Sequence, residues 1–329
     1  MSTFRTAAAT MQQLSQAGME EASRHGLRVG DLEHLFAALV INGQLAGRAL
    51  RATGLSLEAV RDATHRMNAA NLQRLGVTTT TAEPQRIVFQ ETRGYEWTPR
   101  AMDVLTSASG ENAGDAEAVL RALLAEPSGL MVDLLARLDL SADAVQSALA
   151  AEAAEPLHPS TVMGMSHERR GLLSEVFVPA AATAVWSLLA DPTRLPEWHW
   201  LIGSVEVDTA AGIVPDVIWT VLAPTHRPDG TPVRVKERFR RHQMQLLVME
   251  QPHRISWRTS CPALPRRRAI ELSIEIMAVA GGCQVRATSS GTPSPRWKPL
   301  ALSPVRPLQR FLDWISLTQI TAGISRAFR

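Results

Sequence analysis

Two residues in this chain have the type and the setting to move a proton. Glu237 falls in register with Val233, Val235 and Phe239, the apolar positions of a segment whose other members are Arg234, Lys236, Arg238 and Arg240. A carboxylate on a buried strand face is costly to ionise, so its pKa rises, which suits a general acid or a ligand anchor. Alternatively a bulge turns Glu237 outward, or an arginine such as Arg258 or Arg286 pairs with it. His199, between Trp198 and Trp200, is a proton donor or base if it faces a cavity, and a surface or core-edge histidine otherwise. No Ser-His-Asp or metal-ligand constellation accompanies them. The two lysines of the chain, Lys236 and Lys298, follow no glycine-rich loop, whereas a Walker A loop needs a lysine to reach the nucleotide phosphates. ATP hydrolysis is therefore excluded. Cys261 and Cys283 lie far apart with no C-x-x-C neighbour, so neither a disulfide framework nor a zinc site is expected. No cofactor is expected either.

The elements that must position these residues begin at Leu172, where the hydrophobic period becomes two. Arg268, Ile270, Leu272, Ile274 and Ile276 alternate with Ala269, Glu271, Ser273, Glu275 and Met277, which predicts a strand with one buried face. Gly281-Gly282 turns it into a second strand carrying Cys283, Val285 and Ala287. The same alternation predicts strands over 233–240 and over Ile255, Trp257 and Thr259. Two helical pieces precede them, Ala181–Ala190 and Asp191–Trp198, the second with Asp191 as N-cap and Pro192 at the first helical position. A long helix from about Pro307 to Phe328 carries Leu308, Phe311, Leu312, Ile315, Leu317, Ile320, Ile324 and Phe328 with so few charges that most of its circumference must be covered.

Upstream, the chain repeats itself. Glu33-His34-Leu35-Phe36-Ala37-Ala38-Leu39 returns 84 residues later as Glu117-Ala118-Val119-Leu120-Arg121-Ala122-Leu123. The segment Gly54–Val60 returns as Asp139–Val145 after 85, so one insertion separates the landmarks. Two small helical units of this kind must pack on each other to bury their apolar faces. Charge marks a boundary between the halves: residues 1–150 carry 13 Lys+Arg against 17 Asp+Glu, residues 166–329 carry 21 against 13. Between them, Pro156-Leu157-His158-Pro159-Ser160 stops a helix and favours extended chain. The expected organisation is a helical domain over 1–150, a linker over 151–168 and a second domain over 169–329, with a shorter connector, Thr78–Glu96, between the helical repeats.

The helical half resembles the N-terminal repeat domain of the Clp ATPases. The match rests on Glu20-Glu21-Ala22, His25-Gly26 and Gly30-Asp31-Leu32-Glu33-His34-Leu35, with Trp97-Thr98-Pro99-Arg100-Ala101 opening a second copy in which Ala118 replaces the histidine. The resemblance implies docking of adaptors, tags or substrates, and Glu33, Thr98 and Glu117 align with positions that some relatives use to grip phosphorylated arginine. Ala8 stands near the place of the first-copy threonine, which favours a general protein-docking groove. The partner implied is a Clp-system component or client.

The second half is similar to the SRPBCC superfamily, also called START-like or polyketide cyclase/dehydrase-like. The residues that carry this are Val185–Trp198 followed by Glu250-Gln251-Pro252-His253-Arg254-Ile255-Ser256-Trp257-Arg258. It implies a helix-grip fold, an antiparallel sheet around a long C-terminal helix, with an apolar pocket between them. The overall fold class is thus multidomain, all-α followed by α+β. Candidate wall residues are Trp219, Glu237, Phe239, Trp257, Ile270, Leu272 and Ile274, with Trp198 near the mouth.

Arg238, Arg240, Arg241 and His242, with Arg266-Arg267-Arg268, could meet phosphate groups, but no aromatic residues are interleaved on the wet face that the alternation gives Arg234, Lys236, Arg238 and Arg240, which argues against nucleic acid. Met1-Ser2-Thr3-Phe4-Arg5 lacks the apolar core of a signal peptide, and no run of 18 uncharged apolar residues exists to span a bilayer, so a cytoplasmic location is expected. The reading that follows is a non-catalytic protein joining a protein-docking domain to one that holds a hydrophobic small molecule or lipid. The alternatives are a polyketide cyclase or dehydratase-like enzyme using Glu237 or His199, and a pure interaction module with a filled core.

Overall fold

The computed structural model of the protein describes residues 3–77, 87, 94–111, 115–154, 171–206, 214–227, 230–264, 269–291 and 306–329, the side chains of 3–9, 110–111 and 306–311 excepted. The chain divides into two compact units, Met1–His158 and Pro159–Arg329. Pro156 and Pro159, most of the Thr78–Glu96 connector, Arg266–Arg268 and the side chains of Ala8, Leu308 and Phe311 lie outside the described residues.

In the first unit, α1 (Thr3–Ser23), α2 (Leu32–Val40), α3 (Leu45–Ala52) and α4 (Leu57–Arg74) are followed by α5 (Pro99–Glu111), α6 (Ala116–Leu124), α7 (Leu130–Ala136) and α8 (Ala142–Ala154). The duplication extends to the caps that start the helices. Asp31 accepts from the backbone at the start of α2, and Asp115 accepts from Ala118 N (2.9 Å) at the start of α6. Ser56 and Ser141 each accept at 3.1 Å from the amide three residues on, at the starts of α4 and α8. Such caps satisfy helix amides that have no intrahelical partner. Gly54 (φ +85°) and Asp139 (φ +55°) occupy the same left-handed turn. The one-residue slip falls in a loop, four residues between α2 and α3 against five between α6 and α7. Leu32, Leu35, Phe36 and Leu39 of α2 are buried with Val119, Leu120 and Leu123 of α6.

The halves of this unit are also joined by β1 (Val29–Gly30) pairing in parallel with β2 (Glu96–Trp97). The Trp97 ring fills a slot that only glycines leave open: a Cβ at Gly18 or Gly30 would lie 2.6 or 2.7 Å from it.

Among the described residues, the second unit is one antiparallel sheet and three α-helices. In chain order come β3 (Leu172–Val178), α9 (Ala182–Ala190), a 3-10 turn (Pro192–Arg194), α10 (Leu195–Trp198), β4 (Ser204–Glu206), β5 (Ile218–Leu222), β6 (Arg241–Glu250), β7 (Arg254–Ser260), β8 (Ile270–Val279), β9 (Gly282–Gly291) and α11 (Arg306–Arg326). The strands lie in the order β3-β9-β8-β7-β6-β5-β4, so α9 and α10 carry the chain from one edge to the other. Asp191 accepts from Thr193 N (2.9 Å), the cap expected there, and Gly281 (φ +76°) makes the β8–β9 turn. The alternation sorts the sheet into two faces. On one, Trp219, Val221, Met244, Leu246, Ile255, Trp257, Leu272, Ile274, Ile276, Val285 and Ala287 form a single core with Leu317, Ile320 and Ile324 of α11. On the other, Glu175, Arg286, Glu275, Arg254 and Glu250 stand opposite one another across β3, β9, β8, β7 and β6, a row of alternating sign. This row accounts for much of the charge in the strands without requiring a ligand.

The segment 233–239 is not the strand its alternation predicts. His226 bridges to Pro232, Val233 N donates to Thr225 O (2.8 Å), and Glu237–Phe239 curls into a 3-10 turn before β6. Six of the eight residues 234–241 are charged, which leaves too little apolar surface to hold the segment against the core.

Candidate functional site

The concave side of the second unit is organised by α11. Ser174 of β3 and Thr321 share a buried hydrogen bond (2.9 Å), and Ser325 donates to Phe177 O (3.1 Å), pinning the helix to the edge strand. Where α11 crosses α10 it carries Gly323, and a Cβ at this position would lie 2.1 Å from Trp198 O. That close crossing seats Trp198 under the helix.

Three indoles are the most unusual feature of this interior. Trp198, Trp219 and Trp257 are each at most 2% exposed, and each indole Nε1 is buried with no acceptor among the described residues. Trp219 and Trp257, on strands either side of β6, lie with ring centroids 5.3 Å apart at 54°. An indole nitrogen can only donate, and leaving a buried donor unpaired costs about 1–3 kcal/mol. Three such donors in one apolar core are three hydrogen bonds that the described residues do not supply.

His199 continues from Trp198, its ring 5.6 Å from the indole and edge-on to it. It is buried, its Nδ1 also has no partner among the described residues, and its backbone N–H donates to Leu195 O (2.9 Å). Burial, reinforced by the charge of His242, pushes its pKa down to about 4. The ring is therefore neutral at physiological pH and a weak base. The unfolded chain takes up a proton near pH 6.5 while the folded one resists until about pH 4. Full stability is present above the higher value and about 3 kcal/mol is lost as pH falls between them. The expected result is that His199→Gln flattens the fall of the urea midpoint from neutral to acid pH; an unchanged slope would show that the ring titrates normally.

The other sequence candidates separate. Leu272 and Ile274 are in the core as expected. Glu237 is not on an apolar face: its side chain is 82% exposed and it pairs with Arg240 (3.4 Å), because the segment turns instead of pairing. Phe239, half-buried in the same turn, lies against Arg238, whose guanidinium carbon is 5.0 Å from its ring centroid, and is no strand-face residue. Ile270 is 44% exposed at the open start of β8, where the sheet end leaves it uncovered. Trp198, expected near a pocket mouth, is buried at 2% exposed, whereas Trp200, two residues on, is 44% exposed. The single turn of α10 sends one indole inward, and the chain leaves the helix before the other.

In the helical unit, Glu33 is buried in α2 and Thr98 donates to Asp31 Oδ1 (2.7 Å). Arg100 forks onto the same carboxylate, with Nε at 2.8 Å from Oδ1 and Nη2 on Oδ2. Burial raises the Glu33 pKa; Asp31 adds to this and Arg100 opposes it. Glu117 is elsewhere engaged, with Arg121 (2.8 Å) on α6. Asp31 and Arg100 therefore complete the cluster around Thr98, and their signal was the N-cap position of Asp31 and the Trp-Thr-Pro-Arg run.

Residues 172–313 match the family described as polyketide cyclase / dehydrase and lipid transport, and the C-terminal region is a domain of that kind. Among solved structures, DynU16, a protein of the dynemicin biosynthetic locus, is 14% identical over 47% of this chain and 46% of its own, with a TM-score of 0.32. The chain thus spans less than half of that protein. A protein from Chromobacterium violaceum is 16% identical over 47% of this chain and 96% of its own (TM-score 0.30). One from Nitrosomonas europaea is 17% identical over 50% and 98% (TM-score 0.33). No curated protein matches the chain in sequence. Among the described residues no helix is long and apolar enough to cross a membrane, and no group of acidic, His and Cys side chains could hold a metal ion.

Proposed function

We propose that the C-terminal domain, residues 169–329, holds a hydrophobic small molecule or lipid bearing hydrogen-bond acceptors, and that the helical domain, residues 1–150, is a Clp-type module that docks a protein partner. The observation that carries the ligand is the set of three buried indole donors without acceptors among the described residues, in a core whose other members are mostly aliphatic, with Trp186 beside them. A core filled by the described residues alone would leave all three unpaired. The family description, with lipid transport beside cyclase and dehydrase, is consistent with such a ligand.

Carriage is favoured over catalysis by the fate of the two acid–base candidates. Glu237 faces solvent, and a buried imidazole with a pKa of about 4 is a poor base at neutral pH. For the helical domain, support comes from the duplicated four-helix order with matching caps and from the Asp31, Thr98, Arg100 and Glu33 cluster, which offers a carboxylate and a guanidinium to a polar partner. A Clp-system component or client is the partner of choice, through Glu33 and Thr98 rather than Glu117.

Native mass spectrometry of the full chain from its own cells is expected to show a stoichiometric adduct of small-molecule mass. Trp219→Phe and Trp257→Phe keep an aromatic ring but remove the N–H, and each is expected to weaken ligand retention about fivefold, the worth of one neutral hydrogen bond. Unchanged retention in both variants would sink the anchoring role of the indoles.

A further inference from the structure

One end of the sheet of the second unit combines exposed apolar side chains with unbalanced positive charge. Here β4, β6 and β8 begin and β5 and β7 end. Trp200 (44% exposed) and Leu201 (45%) form the turn after α10, and Ile270 is uncovered at the start of β8. That turn is tied to its neighbours: Gly203 N donates to Leu222 O (2.7 Å) and Ala223 N donates to Arg240 O (2.9 Å). The segment leading into β6 holds Arg234, Lys236, Arg238, Arg240 and Arg241 against the single carboxylate Glu237. Glu237 pairs with Arg240 and Glu206 with Arg241, each at 3.4 Å, so Arg234, Lys236 and Arg238 carry charge that no carboxylate among the described residues offsets.

We propose that this end of the sheet docks on an anionic lipid surface, with Trp200 and Leu201 in the headgroup–acyl boundary and Arg234, Lys236 and Arg238 against the headgroups. Basic side chains beside an exposed indole and an aliphatic residue match what an anionic interface offers: negative potential, and an apolar layer just beneath it. A nucleic-acid track would want aromatic rings spaced along the basic segment, and Phe239, half-buried against Arg238, is its one aromatic residue. The inference rests on the ligand-carrier reading for its purpose. Trp198 and His199, inside the core, directly precede the docking turn, so an apolar ligand would pass from bilayer to interior beside them.

The test is co-sedimentation of the full chain with phosphatidylglycerol-containing vesicles and with pure phosphatidylcholine vesicles, at low and high salt. Binding is expected to the anionic vesicles only and to fall with salt. Arg234→Ser combined with Lys236→Ser should weaken it about 25-fold, about fivefold per cation. Trp200→Ser combined with Leu201→Ser should weaken it about tenfold or more. All four positions lie on the surface of this end, and circular dichroism checks that the variants fold. Equal binding to both vesicle types, no binding to either, binding unaltered by both double variants, or binding to an oligonucleotide in place of vesicles would each overturn the proposal. Native mass spectra of the same preparations keep the two ideas apart. An adduct without vesicle binding overturns docking and leaves the carrier standing; vesicle binding without an adduct does the reverse.

Discussion

Gly323→Ala is expected to lower the unfolding temperature of the C-terminal unit by about 4–8 °C and to abolish ligand retention, while the helical unit keeps its own transition. The added Cβ would sit 2.1 Å from Trp198 O and 3.0 Å from Trp198 C, and both are backbone atoms. A rotamer change cannot relieve that contact, so either α11 or α10 must move. The helix is held by the Ser174–Thr321 and Ser325–Phe177 hydrogen bonds, and α10 is held by the Trp198 side chain beneath it. Overpacking of this kind costs about 3 kcal/mol, against about 1 kcal/mol gained from helix propensity. The clash wins, and a net loss of about 2 kcal/mol in a unit of this size corresponds to the temperature shift given. Calorimetry of the full chain resolves it; a raised or unchanged transition would show that α11 crosses α10 at a greater distance.

Arg51→Met should lower the stability of the helical unit by about 3 kcal/mol. Its guanidinium is buried and donates from Nη1 to Val40 O (2.6 Å) and Asn42 O (2.9 Å). Those carbonyls lie at and just beyond the C-terminal end of α2, where unpaired acceptors and the negative end of the helix dipole both call for a cation. Burial pushes its pKa down to about 10, which still leaves it charged at neutral pH. Methionine fills similar volume but strands the carbonyls, and each buried orphan costs about 1–3 kcal/mol. Arg51→Lys keeps the charge without the fork and should recover only part of the loss. Urea midpoints followed by far-ultraviolet circular dichroism measure both. A shift within about 0.5 kcal/mol of zero for Arg51→Met would mean that the guanidinium is replaceable by packing alone.

Stability in both cases hangs on a residue whose type says little about its role. Glycine in the last helix reads as a weak position, and Arg51 reads as one more surface charge on an amphipathic helix. Trp198 and Trp200 are equally opaque: two residues apart, one is buried and one is exposed because a four-residue helix ends between them. The strand expected over 233–240 failed for a related reason. Alternation records which side chains prefer water, and an extended loop with a charged side satisfies it as well as a strand does.

The sequence by itself determined the elements. Periodicity of two marked β7, β8 and β9, the Asp-Pro pair marked the start of the turn before α10, the apolar last segment marked α11, and the 84- and 85-residue repeats marked a duplicated helical unit whose insertion lies in a loop. These are local signals, written in side-chain polarity along one element and in the few residue types that can cap or turn it. The tertiary structure alone decided that three indole donors lie in one core without acceptors among the described residues, that Glu237 faces water, and that Trp200 joins the basic segment at one end of the sheet. Each of these depends on which residues distant in the chain come to lie together, and hydrogen-bond satisfaction is a property of that neighbourhood rather than of the residue that carries the donor.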